Sequence, residues 1–391
     1  MKFEEAERLQ KLPQQFFANL VAKVNKKIAA GVDVINLGQG NPDCPTPAYI
    51  VESTQKEVAV PKNHKYSLFR GQPTFKQAAA NFYLEKYGVE LDFEKEVSVM
   101  NGSKTGLVEL PLALMNPGDV LLLPDPGYPD YWSGAPLADI TFETVPLLQE
   151  NNFLPDLEKI PVSLAKKAKF FYLNYPNNPT GATATREFYE QLITWAKKYE
   201  VGIISDFAYG AIGFDGQEPI SFMEIPGAKE VGVEFYTFSK TFNMAGWRIA
   251  FAVGNADIIE ALNLIQDHLF VSIFPALQEA GVTALNSLQR DEEINKLVRC
   301  YEQRRNVFIS AAQEIGWPAF IPQGSFYAWM KVPAGYTSVE FADLLLDKVG
   351  VAVAPGSGFG KYGEGYVRIG LLIEPKRLQE AVKRVGSLDL F

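Results

Sequence analysis

The chain has 391 residues, of which 47% are apolar, and a formal net charge of -9. That length and composition suffice for a large core spread over about two to three domain-sized units. Net acidity argues against a nucleic-acid partner, whose binders carry a basic footprint. No run approaches the roughly 20 uninterrupted apolar residues of a membrane-spanning helix. The N-terminus MKFEEAERLQKLPQQFF is charged and lacks an apolar signal core, so a cytoplasmic protein is expected. The two cysteines, Cys44 and Cys300, are read as packing residues, not as a disulfide framework or a zinc site. With two histidines and neither HExxH nor GxSxG, metal hydrolysis and Ser-His-Asp chemistry lack support.

In chain order, a helix is expected from roughly Glu4 to Ala30, then a short strand, VINLG, ending in GQGNPD. From there to about residue 280, short apolar runs alternate with helical stretches. The clearest runs are Val120–Leu123, Phe170–Leu173, Val201–Ile204, Phe235–Phe238 and Ile249–Val253. Near-continuous apolarity fits strands covered on both faces, and the alternation fits an α/β layer with a mainly parallel central sheet. The last hundred residues differ. A long charged helix near 291–315 precedes strand-like YAWMKV, a helix near 338–348, strands VAVAP and YVRIGLL, and a final helix. This predicts a large domain over 41–285. A smaller α+β domain is expected from 286–391 together with the N-terminal segment 1–40.

Ligands of open α/β sheets sit beyond the carboxyl ends of the strands. Four runs here are followed by PDPGYPDYW, NYPNNPTG, SDFAYG and SKTFNMAGWR. They deliver Tyr128, Asn178, Asp206 with Tyr209, and Lys240 with Arg248 to one edge, a set suited to a polar aromatic ligand. The stretch NGSKTGLVEL places Gly102, Ser103, Lys104 and Thr105 before an apolar helix. Backbone N–H groups and the helix dipole suit a phosphate there, although an ordinary helix cap fits the same residues. The cluster GSGFGKYGEG at 356–365 fails the Walker pattern and is read as a surface loop. Arg248 and Arg368 lie in apolar runs, where a charge needs a partner. That partner is either an internal carboxylate or an anionic ligand.

The segment TFSKTFNMAGWRIA resembles the cofactor-lysine signature of the class I/II aminotransferases, the fold type I pyridoxal-phosphate (PLP) enzymes. NNPTG at 177–181, Asp206 with Tyr209, GNPD at 40–43 and Arg368 stand in that family's order and spacing. The resemblance runs from about Asn36 to Arg368. It implies the PLP-dependent transferase fold type I and assigns roles residue by residue. Lys240 carries PLP as a Schiff base and shuttles the proton, and Asp206 pairs with the pyridine nitrogen. Tyr209 and Asn178 bond the ring phenolate oxygen, and Tyr128 stacks on the ring. Ser103, Lys104, Thr237, Ser239 and Arg248 hold the phosphate, Ser103 and Lys104 partly through backbone amides. Arg368 grips the substrate α-carboxylate, helped by the backbone of Gly40 and by Asn178. Tyr66 reaches the phosphate of a neighbouring subunit's cofactor, which implies a homodimer. Thr237 stands where the family usually has Ser or Gly, and its hydroxyl serves equally. Phe75-Lys76 stands where Leu-Arg is common, a packing variation.

Dicarboxylate-specific members place a second arginine in the region of 262–278, which here reads LNLIQDHLFVSIFPALQ, without Arg or Lys. A neutral, apolar or sulfur-bearing substrate is therefore expected. LPQQFFANL, LNYPNNPTGA, DFAYGAIGFDG and PQGSFYAWM are similar to the methionine-salvage branch of the family, which converts 4-methylthio-2-oxobutanoate to methionine. Phe16, Phe17, Phe326 and Tyr327 are candidates either for that pocket or for the core. The neighbouring alternatives are LL-diaminopimelate and broad alanine or aromatic aminotransferases. A carbon–sulfur lyase on the same fold and a non-enzymatic regulator are the alternatives of a different class.

Overall fold

A computed structural model describes residues 1, 3–13 and 16–391, without the side chains of Phe16 and Phe17. The expected α/β layer is a seven-stranded sheet. Its spatial order is Val97–Met100, Ala250–Gly254, Gly232–Thr237, Gly202–Asp206, Ala168–Leu173, Val120–Asp125 and Thr141–Pro146. Ala250–Gly254 runs antiparallel to both neighbours, and the other pairings are parallel. Leu121, Leu122 and Leu123 are all fully buried, because helices cover both faces of the sheet. One covering helix, Arg186–Tyr199, is capped by Thr185 and buries Phe188, Leu192 and Ile193 against the sheet core.

A second body is built on the antiparallel sheet Ala354–Pro355, Tyr366–Gly370, Tyr327–Lys331 and Ala319–Phe320. It has a core of its own, including Phe308, Met330, Phe341, Val367 and Ile369, beneath the 25-residue helix Arg290–Glu314. The short strand Ile35–Asn36 pairs in parallel with Val351–Ala352, which ties the N-terminal segment to this body.

Two expectations need correction, and two strands add to the runs singled out from sequence. The helix expected over 4–30 is two helices, Glu7–Gln10 and Phe16–Ala29, with Pro13 between them. Proline lacks an N–H and its ring clashes with the preceding turn. The strands Val97–Met100 and Thr141–Pro146 are additional to the expected runs; they are the two edges of the sheet. The glycine cluster at 356–365 is not a surface loop: Gly356, Gly358, Phe359 and Gly363 are buried. A Cβ on Gly356 would lie 2.0 Å from the Gly363 carbonyl oxygen, and one on Gly363 would lie 2.1 Å from that of Gly356. Only glycine allows that approach. Among the described residues no helix is long and apolar enough to cross a membrane, and no cluster of three potential metal ligands occurs.

Candidate active site

A cavity of about 590 Å³ opens at the carboxyl edge of the parallel strands. Of the residues singled out from sequence it gathers Gly40, Ser103, Lys104, Tyr128, Asn178, Asp206, Tyr209, Thr237, Ser239, Lys240, Arg248 and Arg368. Tyr66 does not line it and is 87% exposed on the surface. Tyr327 lines the cavity, whereas Phe326 is fully buried behind it, its ring 5.2 Å from that of Tyr209. The expectation for the Phe16 and Phe17 side chains falls outside the described residues.

Asp206 ends the strand Gly202–Asp206 and is buried. Its Oδ2 accepts the Tyr131 hydroxyl at 2.6 Å, and its backbone carbonyl accepts Asn174 Nδ2 at 2.7 Å. Its Oδ1 is buried without a hydrogen-bond partner among the described residues. Burial pushes the carboxyl up to about 6, opposed by the Tyr131 hydrogen bond, by the charge of Lys240 and, least, by the nearby Ala208 N–H. A buried polar oxygen left unpartnered is costly, so its natural complement is a cationic N–H donor from a ligand.

Lys240 follows the strand Gly232–Thr237 in the short helix Phe238–Thr241. Its Nζ donates to the Gly40 carbonyl at 3.1 Å. Burial, with the charges of Arg368 and Arg248 and against that of Asp206, lowers the amine to about 8, so about a tenth of it is neutral at pH 7, far more than for an ordinary lysine.

At the other end of the cavity, the 12-residue helix Ser103–Leu114 presents its N-terminus. Gly102 has φ +80°, and a Cβ there would lie 2.0 Å from an Arg248 guanidinium nitrogen. The missing side chain thus brings guanidinium, helix N-terminus and backbone together as an anion cradle. Thr237 Oγ1 donates to Ser239 Oγ at 2.9 Å beside it. Lys104 is spent on Asp130, with its Nζ 2.8 Å from the carboxylate, which leaves its backbone amide for an anion.

Arg368, 2% exposed, donates to Asn178 Oδ1 and to the Gly38 carbonyl, each at 3.0 Å. Its guanidinium carbon lies 4.2 Å from the Tyr327 ring centre and 4.8 Å from that of Phe359. Tyr131 and Asn174 are additions to the expected set. Asn174 is the first residue past Ala168–Leu173, and its Oδ1 also accepts the Asn178 N–H at 2.8 Å. Tyr131 stands three residues after Tyr128 in PGYPDYW, a spacing that a helical reading of that segment would place on the same side.

An orphaned buried carboxylate oxygen, a neutralisable lysine and an anion cradle at a helix N-terminus fit PLP. The family described as aminotransferase class I and II matches residues 32–385, and the chain belongs to it; it is a PLP-dependent aminotransferase. More particularly, it is 58% identical to the L-glutamine–4-(methylsulfanyl)-2-oxobutanoate aminotransferase of Bacillus subtilis, covering 100% of this chain and 98% of that one. It is 47% identical to the LL-diaminopimelate aminotransferase of Aquifex aeolicus, covering 99% and 100%. The substrate-bound BacF structure from Bacillus subtilis superposes with a TM-score of 0.94 at 45% identity, covering 100% and 98%.

Proposed function

We propose that this chain transfers the amino group of an amino acid to 4-methylthio-2-oxobutanoate, forming methionine, with Lys240 as the covalent anchor of PLP. The observation that carries the site is Asp206 Oδ1, buried and unpartnered among the described residues, beside the cavity that also receives Lys240 and Arg368. Bound there, PLP supplies the electron sink for the pair left when the substrate Cα proton departs. Asp206, as an anion, holds the ring nitrogen protonated. Tyr209 and Asn178 donate to the ring oxygen, and Tyr128 covers the ring face. Ser103, Lys104, Thr237, Ser239 and Arg248 hold the phosphate. Arg368, with the Gly40 backbone and Asn178, binds the α-carboxylate and so orients the Cα–H bond. Neutral Lys240 would take the proton from Cα and hand it to the cofactor's former aldehyde carbon, so that the amino group stays with the cofactor.

The side chain of the substrate meets an apolar wall that includes Leu20, Val21 and Leu107. Of the cavity's cations, Lys104 is neutralised by Asp130. Lys240, Arg248 and Arg368 are committed to the cofactor and the α-carboxylate. Among the described residues of the lining no cation remains for a second substrate carboxylate. That supports a thioether over an aspartate side chain, in line with the 58% identical relative. In this reading the chain is a cytoplasmic homodimer. Residues 41–285 form the larger domain, and 1–40 with 286–391 form the smaller. Tyr66, exposed together with Leu68 and Phe69, would reach the phosphate of the cofactor held by the neighbouring subunit.

A panel of 2-oxo acids assayed against several amino donors tests the substrate. The expected outcome is 4-methylthio-2-oxobutanoate at or near the top in kcat/KM. A clear preference for a diaminopimelate-derived, aspartate-derived or aromatic acceptor would remove that substrate and leave the transaminase intact. Dimerisation is read from the sedimentation of the holoenzyme, where a monomer would remove the role of Tyr66.

A further inference from the structure

The glycine cluster at 356–365 plays no part in the chemistry above, yet it joins the strand Ala354–Pro355 to Tyr366–Gly370, the strand that carries Arg368. The cluster is fastened to the seven-stranded sheet at one point. Asp125, the last residue of Val120–Asp125, is 2% exposed. Its Oδ2 accepts the Lys361 N–H at 3.0 Å, and its Oδ1 accepts the Tyr362 N–H at 2.9 Å. Gly127 N–H donates to the Phe359 carbonyl at 2.8 Å. Gly360, at φ +128°, lets the loop close on the carboxylate, since a Cβ there would lie 2.1 Å from Asp125 Oδ1. These three bonds seat Phe359, fully buried, with its ring centre 4.8 Å from the guanidinium carbon of Arg368. A guanidinium lying on aromatic faces keeps its planar fork in one orientation, which bidentate recognition of a carboxylate requires.

We propose that Asp125 is a positioning residue for substrate binding, holding the 359–362 loop so that Phe359 fixes Arg368 toward the substrate carboxylate. This rests on the reading that Arg368 binds that carboxylate. Packing alone does not call for an acid at this place. Burial raises the Asp125 carboxyl, and the Tyr362 and Lys361 N–H groups offset part of that cost. Asp125 ends in the main sheet, while the strand it fastens belongs to the four-stranded sheet. The two bodies are therefore registered to each other beside the substrate's carboxylate.

The test uses the holoenzyme of Asp125→Asn, whose amide opposes one loop N–H with a donor of its own. Two ligands separate the effects: methionine without its amino group, which binds only, and methionine without its carboxylate, which offers only the amine. We expect the affinity for the acid, by calorimetry, to fall about 10- to 100-fold. Single-turnover conversion of the amine and the visible absorbance of the lysine-bound cofactor stay unchanged. Equal losses on both ligands, or no loss on the acid, overturn the proposal. Gly360→Ala drives a methyl group into the same carboxylate and must give the same split, whether or not Asp125→Asn folds. Arg368→Ala is the control. If it leaves affinity for the acid intact, the reading of Arg368 fails. If it removes that affinity while Asp125→Asn shows no split, only the role of Asp125 fails.

Discussion

Two carboxylates are buried on neighbouring strands of the central sheet, and they are treated in opposite ways. Glu234, fully buried on Gly232–Thr237, accepts four donors: the hydroxyls of Tyr83, Ser205 and Ser221 and the Phe222 N–H. Asp206, at the end of the adjacent strand, accepts the Tyr131 hydroxyl on Oδ2 and leaves Oδ1 without a partner among the described residues. Burial raises both, Glu234 to about 7 and Asp206 to about 6. Burial and a shifted pKa therefore do not separate structure from function here; hydrogen-bond saturation does. The saturated acid lies within the sheet, whereas the unsaturated one stands at its carboxyl edge, in the lining of the cavity.

That contrast is open to direct attack. Asp206→Asn removes the charge a ligand cation needs, and kcat should fall by about 10²–10³-fold. The cofactor-free variant, relieved of an uncompensated buried charge, should unfold no more easily than the parent. Glu234→Gln should do the reverse. Its amide meets donors on every side, so stability to urea should drop by about 1–3 kcal/mol while kcat holds. Exchanged outcomes would break the distinction.

Tyr131→Phe sharpens it. Because the Tyr131 hydrogen bond opposes the upward shift of Asp206, its loss should carry that carboxyl above about 6. The acid limb of the pH–rate profile then moves to higher pH, with activity down about tenfold. An unmoved limb would show that Tyr131 does not tune Asp206. The smallest effect concerns Lys240. Cofactor capture by the apoprotein needs the neutral amine, so its rate should climb with pH and level off above about 8. A climb continuing to the ordinary lysine value of 10.5 would mean that burial and the arginines do not act on it.

The cavity's contents are legible in the sequence because each doubly covered strand is an apolar run, and the residues just past such a run land on one edge. Tyr128, Asn178, Asp206 and Lys240 are found that way. Edge strands lack the signal: Thr141–Pro146 is half exposed, and Val97–Met100 is only four residues long. The glycine cluster misleads because small polar residues look solvated, whereas here glycine serves close backbone packing and the grip of Asp125. Tyr131 and Asn174 stay hidden because their roles are toward other protein groups, the Asp206 carboxylate for Tyr131 and the backbone of Asp206 and Asn178 for Asn174. A partner 75 positions away, as Asp206 is from Tyr131, leaves no local pattern.

Borohydride reduction of the holoenzyme followed by peptide mapping addresses the role of Lys240 without reference to substrate. A single reduced adduct on Lys240, absent in Lys240→Ala, is the predicted result. An adduct on any other lysine, or none at all, would contradict it.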